Sequence, residues 1–252
     1  METNGLYQCL QRGACHLWYW QFGSVPERGL SLLSDEELAR YRRFGAPEAA
    51  RTFAAARMLV RSLLSAYGNL TPNEWCFLNN EWGKPSIANP EAPDGFTFNL
   101  SHKTGFITCL VGCGRELGVD VEDLEAHHRD LGNLASRFFS PIEAAELEML
   151  PSGRQRERFF ELWTLKESYI KARGRGLSLG LSKFTFTVEG TSAKVRFAAE
   201  FDDNPARWDF RLFRPDPRWL IATSIERCGH APVEITMMDG ASAVMSALGQ
   251  SN

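Results

Sequence analysis

The chain has 252 residues, 44% hydrophobic and 23% charged, with a formal net charge of −3. That is globular composition, long enough for one large domain or two small ones, and no global field favours nucleic acid or an anionic membrane, so an anion site must be local. No apolar run approaches the ~20 residues that span a bilayer, and no basic segment followed by an apolar run opens the chain as a leader would.

The first predicted helix begins at Ser34 in SDEELARYRRF, where Ser34 and Glu37 form the Ser-x-x-Glu capping box. A second helix is predicted over residues 51–68, RTFAAARMLVRSLLSAYG, and three strand-like runs follow: WCFLNN, FTFNLSH and GFITCLVG. Between the first two runs, WGKP reads as a turn displaying Lys84, and residues 86–95 read as an exposed loop punctuated by Pro and Gly. GCGRELG, residues 112–118, is a turn where two halves meet. Beyond GVDVED the pattern repeats. Ser140 and Glu143 make a second capping box with Pro141 at the first helical position, and a helix is predicted over 156–174, stopped by Gly174. FTFTVEG, WDFRLFR and WLIATSI are the strand-like runs after it, and the segment after Gly229 is expected to be a frayed helix or unstructured.

Aligned on the two serines, Phe53 matches Phe159, Leu59 matches Leu165 and Leu64 matches Ile170. The expectation is an α+β fold with a diverged duplication, each half two helices and a small antiparallel sheet. The halves are residues 1–115 and 116–228, with 229–252 as a tail. Cys9, Cys15, Cys76, Cys109, Cys113 and Cys228 show no Cys-x-x-Cys pair and no zinc-type spacing with histidine. A reducing, cytoplasmic setting without a disulfide framework is expected.

In GVDVED, Val119 and Val121 point one way and Asp120 and Glu122 the other, because strand side chains alternate. At ~4 Å and an effective dielectric of ~20, two such carboxylates repel by roughly 4 kcal/mol, so solvent, a basic side chain, a shared proton or a metal must offset them. On the helical wheel Glu167 falls between Trp163 and Phe160, inside the face expected to be buried. If that helix packs across the strand, three carboxylates converge without cysteine or histidine, a set that suits a hard cation, magnesium best. A salt bridge from Glu167 to Lys171 or Lys166 is the alternative that needs no metal. Lys84, Ser101, His102, Arg40 and Arg51 are scattered anion-binding candidates, while no Gly-x-x-x-x-Gly-Lys or Gly-x-Gly-x-x-Gly strand-to-helix turn occurs.

GVDVED followed by WTLKESYIKARGRGL, with WGKP, FNLSH and RFFSPIE alongside, resembles the signature of 4′-phosphopantetheinyl transferases, closest to the two-half, monomeric, surfactin-synthetase-activating type. The resemblance implies two similar halves with coenzyme A in a cleft between them. It also implies transfer of the phosphopantetheine arm to a serine of an apo acyl or peptidyl carrier protein, as in fatty acid, polyketide or nonribosomal peptide synthesis. Carried onto this chain, Asp120, Glu122 and Glu167 become the magnesium ligands, with Glu167 or Glu122 as base and Lys171 as a phosphate contact. Gly83, Lys84 and Pro85 become the loop around adenine and its ribose phosphate, and Ser101, His102 and Arg51 further contacts to coenzyme A. Related enzymes often place two basic residues one turn apart in the first capped helix; here Arg40 fits the second and Glu37 stands at the first. A magnesium-dependent nucleotide phosphohydrolase is the alternative activity that the same carboxylates would suit.

Overall fold

The computed structural model describes residues 3–126, 130–229 and 232–249. The chain divides into two compact units, one built from Met1–Arg115 with Val233–Asn252, the other from Glu116–Pro232.

The first unit opens with α1 (Thr3–Gln11) and β1 (Cys15–Gln21). Helix α2 (Asp35–Arg42) starts at a complete capping box: Glu37 N–H donates to Ser34 Oγ and Ser34 N–H to Glu37 Oε2. Pro47 then starts α3 (Pro47–Tyr67), with proline where its missing N–H costs nothing. The hairpin β2 (Phe77–Asn79) and β3 (Pro85–Ile87) precedes β4 (Phe96–Lys103) and β5 (Phe106–Cys113). The core lies between α3 and the sheet, where Phe53, Leu59, Leu63 and Leu64 meet Trp18, Phe98, Ile107 and Val111.

The second unit holds β6 (Leu117–Asp123), α4 (Leu131–Phe138), α5 (Pro141–Met149) and α6 (Ser152–Arg173). Strands β7 (Phe184–Glu189), β8 (Ser192–Phe197), β9 (Trp208–Phe213) and β10 (Trp219–Glu226) complete an antiparallel sheet in the order β6-β10-β9-β8-β7. Its core packs α6 aromatics, Phe159, Phe160 and Tyr169, against Phe184, Phe186, Trp208 and Phe210.

The segment after Gly229, expected to fray, is instead ordered through β11 (Ile235–Asp239) and α7 (Gly240–Gly249); residues 250–252 lie outside the described ones. Strand β11 pairs in parallel with β1, giving the order β11-β1-β5-β4, so the first unit's sheet is mixed rather than purely antiparallel. Its five residues carry too little pattern to read alone; the pairing partner lies at the far end of the chain. Among the described residues no helix is long and apolar enough to cross a membrane, and all six cysteines are free.

Each unit fastens its capping box to its long helix in the same way. Glu37 pairs with Arg61 of α3 at 2.7 Å, and Glu143 pairs with Lys166 of α6 at 2.8 Å. These contacts set Arg61 opposite Lys166, one residue out of step with the pairing of Phe53 with Phe159. The first unit has one residue more between the box glutamate and its partner, Glu37 to Arg61, than the second has between Glu143 and Lys166.

Candidate active site

Helix α6 lies against the backbone of β6 and β10. Gly118 makes this possible: a Cβ there would collide with Ser168 O and Ala172 N of the helix. Ser224, paired with Gly118 across the sheet, is also small, and its hydroxyl meets that of Ser168 at 2.7 Å. The close approach brings side chains of α6 onto the face of β6 that carries Asp120 and Glu122. Both carboxylates are about 5% exposed, opposite Ala222 and Leu220 of β10. Lys171 Nζ donates to Asp120 Oδ1 at 2.6 Å. The ion pair at Lys171 thus reaches Asp120 on the strand.

Glu167 does not sit inside the apolar face. It is half-buried, and with half-buried Trp163 and Lys171 it forms one stripe at four-residue spacing. The reading failed because α6 is buried around most of its circumference, which leaves little apolar periodicity to follow. Lys166 is corrected as well. Offered with Lys171 as a salt-bridge partner of Glu167, it is fully buried on the other side of α6, bound to Glu143. Among the described residues no group of three His, Cys, Asp or Glu stands close enough to hold a metal ion. The chemistry of the donors still fits magnesium. Asp120 and Glu122 are hard oxygens sunk on one strand face, with a third acid on the helix packed across it.

The first unit carries the basic candidates. Arg40 and Arg57 both lie over the Phe53 ring, at 5.0 and 5.3 Å from its centroid. They line an open groove of ≈ 860 Å³ with Glu37, Arg43, Arg61 and Trp75. Glu37, the acid at an expected basic position, is balanced there by Arg61 at 2.7 Å and Arg57 at 3.6 Å. Burial pulls the Arg57 guanidinium below its usual value, with Glu37 opposing that and Arg40 and Arg61 adding to it. Arg57 was missed in the sequence; its signal is the four-residue spacing to Arg61 on α3. Arg51 is half-buried, 4.0 Å from Glu48.

Gly83 turns the hairpin with φ +83, a conformation an L side chain rarely adopts. Asn80 Oδ1 accepts from Trp82 N–H at 3.0 Å and Lys84 N–H at 2.9 Å. Trp82 is exposed and Lys84 half-buried, so Lys84 is not the displayed tip; Pro85 starts β3 opposite Asn79. Ser101 is buried and His102 exposed at the end of β4, and as strand neighbours they project to opposite faces. The structure therefore does not aim both at one point.

Two family models cover the two units. Residues 116–224 match the 4′-phosphopantetheinyl transferase superfamily, and residues 26–113 match the 4′-phosphopantetheinyl transferase N-terminal family. The chain is 36% identical over 222 residues to the 4′-phosphopantetheinyl transferase HetI of Nostoc sp., covering 86% of this chain and 90% of that one. It is 31% identical over 212 residues to the 4′-phosphopantetheinyl transferase Sfp of Bacillus subtilis, covering 84% and 90%. The chain belongs to the 4′-phosphopantetheinyl transferase superfamily. As an enzyme of that class it transfers the 4′-phosphopantetheine group, and the α+β fold in two halves is the one expected. The comparisons give no support to a phosphohydrolase. A phosphopantetheinyl transferase of Thraustochytrium sp. is also similar, 29% identical over 208 residues, covering 77% of this chain and 70% of that one.

Proposed function

We propose that this transferase moves the phosphopantetheine arm of coenzyme A onto a serine hydroxyl of an apo acyl or peptidyl carrier protein, releasing adenosine 3′,5′-bisphosphate. The carrying observation is the meeting of Lys171 and Asp120 at 2.6 Å on the strand face that also bears Glu122, one helical turn from Glu167. Phosphoryl transfer asks mainly for in-line positioning and charge neutralisation, and this arrangement offers both acidic and basic groups for them.

Asp120, Glu122 and Glu167 are the residues that would hold magnesium, which when bound supplies charge neutralisation to the pyrophosphate and to the departing bisphosphate. Lys171, half-buried and already directed by Asp120, offers an ammonium to a phosphate oxygen. Glu167 is the better candidate base. A serine arriving on another protein can reach a half-buried carboxylate more readily than Glu122, which is about 5% exposed. The serine oxygen bonds to the β-phosphorus, the bond from that phosphorus to the bisphosphate oxygen breaks, and the hydroxyl proton passes to Glu167 or a water it holds. For the nucleotide end, Arg40 and Arg57 supply cations that outweigh Glu37, joined by Arg51 and the Gly83-Lys84-Pro85 turn. Ser101 and His102, on opposite faces of β4, would serve different groups of the nucleotide. Six free thiols suit a reducing cytoplasm, and two units that each complete a core within one chain suit a monomer.

Intact-mass analysis of several apo carriers incubated with the enzyme, coenzyme A and magnesium tests the reading. A carrier should gain the mass of the arm, EDTA should stop the gain, and added magnesium should restore it. Asp120→Asn and Glu167→Gln should each slow it by ~10²-fold or more. Free phosphopantetheine released with no gain on any carrier would overturn the reading.

A further inference from the structure

Lys166 precedes Glu167 in α6, yet its side chain runs to the opposite side of the helix into a closed socket. Its Nζ donates to Glu143 Oε2 at 2.8 Å, to Leu181 O at 2.8 Å and to Phe184 O at 2.6 Å. An ammonium has three N–H donors, so all are used. Both Lys166 and Glu143 side chains are 0% exposed, and Nζ also lies 4.5 Å from the Phe184 ring centroid. Glu143 is equally engaged: Oε2 accepts from Ser140 N–H at 2.8 Å and Oε1 from Phe186 N–H at 2.7 Å. One buried ion pair therefore ties together the start of α5, the middle of α6 and the first strand after it. Burial pulls the Lys166 ammonium below its ordinary value while Glu143 pushes it back up.

A fully buried pair of this kind is weak support for stability, because a well-packed apolar pair often does as well; its use lies in fixing one geometry. The first unit supports that view. Arg61, the counterpart of Lys166, pairs with capping-box Glu37 and donates to Pro72 O at 2.7 Å and Trp75 O at 2.9 Å. It also lies over Phe77, 5.3 Å from the centroid. There the next residue is Ser62, so the device works without a neighbouring acid; in the second unit the next residue is Glu167. Successive side chains of a helix are separated by about 100°, so seating Lys166 sets the direction of Glu167 and, one turn later, of Lys171.

We infer that Lys166 is a positioning residue: locked to Glu143 and to the Leu181 and Phe184 carbonyls, it holds the rotation of α6 that presents Glu167 and Lys171 to the β6 carboxylates, without touching substrate. The inference rests on the reading of Asp120, Glu167 and Lys171 as the reacting site.

Glu143→Gln isolates the effect. Glutamine keeps the shape but has one acceptor oxygen, so it can serve Ser140 N–H or Phe186 N–H and not both, and the link to Lys166 loses its charge; the buried position keeps residue 143 away from substrate. Kinetics of Glu143→Gln, Lys166→Met and the double variant should be compared per folded molecule, with Glu167→Gln as control. Each single variant should lose kcat by ~10–10²-fold, the size of effect a displacement near 1 Å produces. For Glu143→Gln the KM for coenzyme A should stay within about twofold, and the double variant should lose no more than either single one. Wild-type kcat in folded Glu143→Gln overturns the inference. So does a KM raised about tenfold in Lys166→Met with normal kinetics in Glu143→Gln, the signature of a direct substrate contact. If the singles do not fold, the double variant, free of buried charge, decides: a depressed kcat supports positioning and a wild-type kcat sinks it. Full activity in Glu167→Gln would instead bring down the reading of the site itself.

Discussion

Asp203 shows how much one carboxylate can tie together. Its Oδ2 accepts from Tyr169 Oη at 2.6 Å, from Trp208 Nε1 at 3.0 Å and from Arg173, while Oδ1 accepts from Asn204 N–H at 2.7 Å. Burial by itself would raise this carboxyl. The bonds from Tyr169 and Asn204, the Arg173 charge and the Trp208 bond outweigh it and hold the group below the usual range. A carboxyl depressed in the folded state adds stability above its unfolded value, about 3.9, and loses it as pH falls through the folded value. Thermal melts from neutral to acidic pH should therefore fall more steeply below about pH 4 for the wild type than for Asp203→Asn, which is already weakened at neutral pH. Parallel curves would show that Asp203 contributes nothing to acid sensitivity. At this scale part of the candidate site was legible. Asp120 and Glu122 share a strand face by simple alternation, and Lys171 is a lysine one turn beyond an acid. Lys166 was not legible, because two lysines on one helix look alike until the socket around one of them exists.

Between α6 and β6 the decisive residue has no side chain. Gly118 lets the helix backbone rest on the strand, and that approach puts Lys171 within 2.6 Å of Asp120. Gly118→Ala places a methyl group against Ser168 O and Ala172 N, backbone atoms that cannot rotate away. Overpacking of this kind costs about 1–3 kcal/mol, and here the helix must lift. The variant should melt earlier and lose transfer activity by more than its folded fraction explains. Activity that simply tracks the folded fraction would show that the spacing between helix and strand does not govern the chemistry. The two capping boxes were readable because every participating group lies within four residues. The buried circumference of α6 was not, since neighbours from α4, α5 and the sheet cover it, and none of them is specified by the helix itself.

Across the whole molecule, the last described residues complete the first unit. Strand β11 extends the sheet beside β1, from Cys15↔Ile235 to Tyr19↔Asp239, and α7 buries Val244 and Leu248. Those two side chains alone represent ~3–6 kcal/mol of burial, against a typical domain margin of about 5–15 kcal/mol. A chain ending at Gly229 should melt far lower than the full chain, or bind a hydrophobic dye without a cooperative transition. An unchanged melting temperature would mean that the tail is dispensable, as its weak periodicity had suggested.

What the sequence determined by itself was whatever depends on near neighbours. It specified the capped helix starts, the alternation in GVDVED and the residue types of the candidate site. The tertiary structure alone decided which lysine faces the acids, how deep Glu167 sits and where the tail goes. Those outcomes depend on surfaces contributed by distant segments, and no local periodicity encodes them.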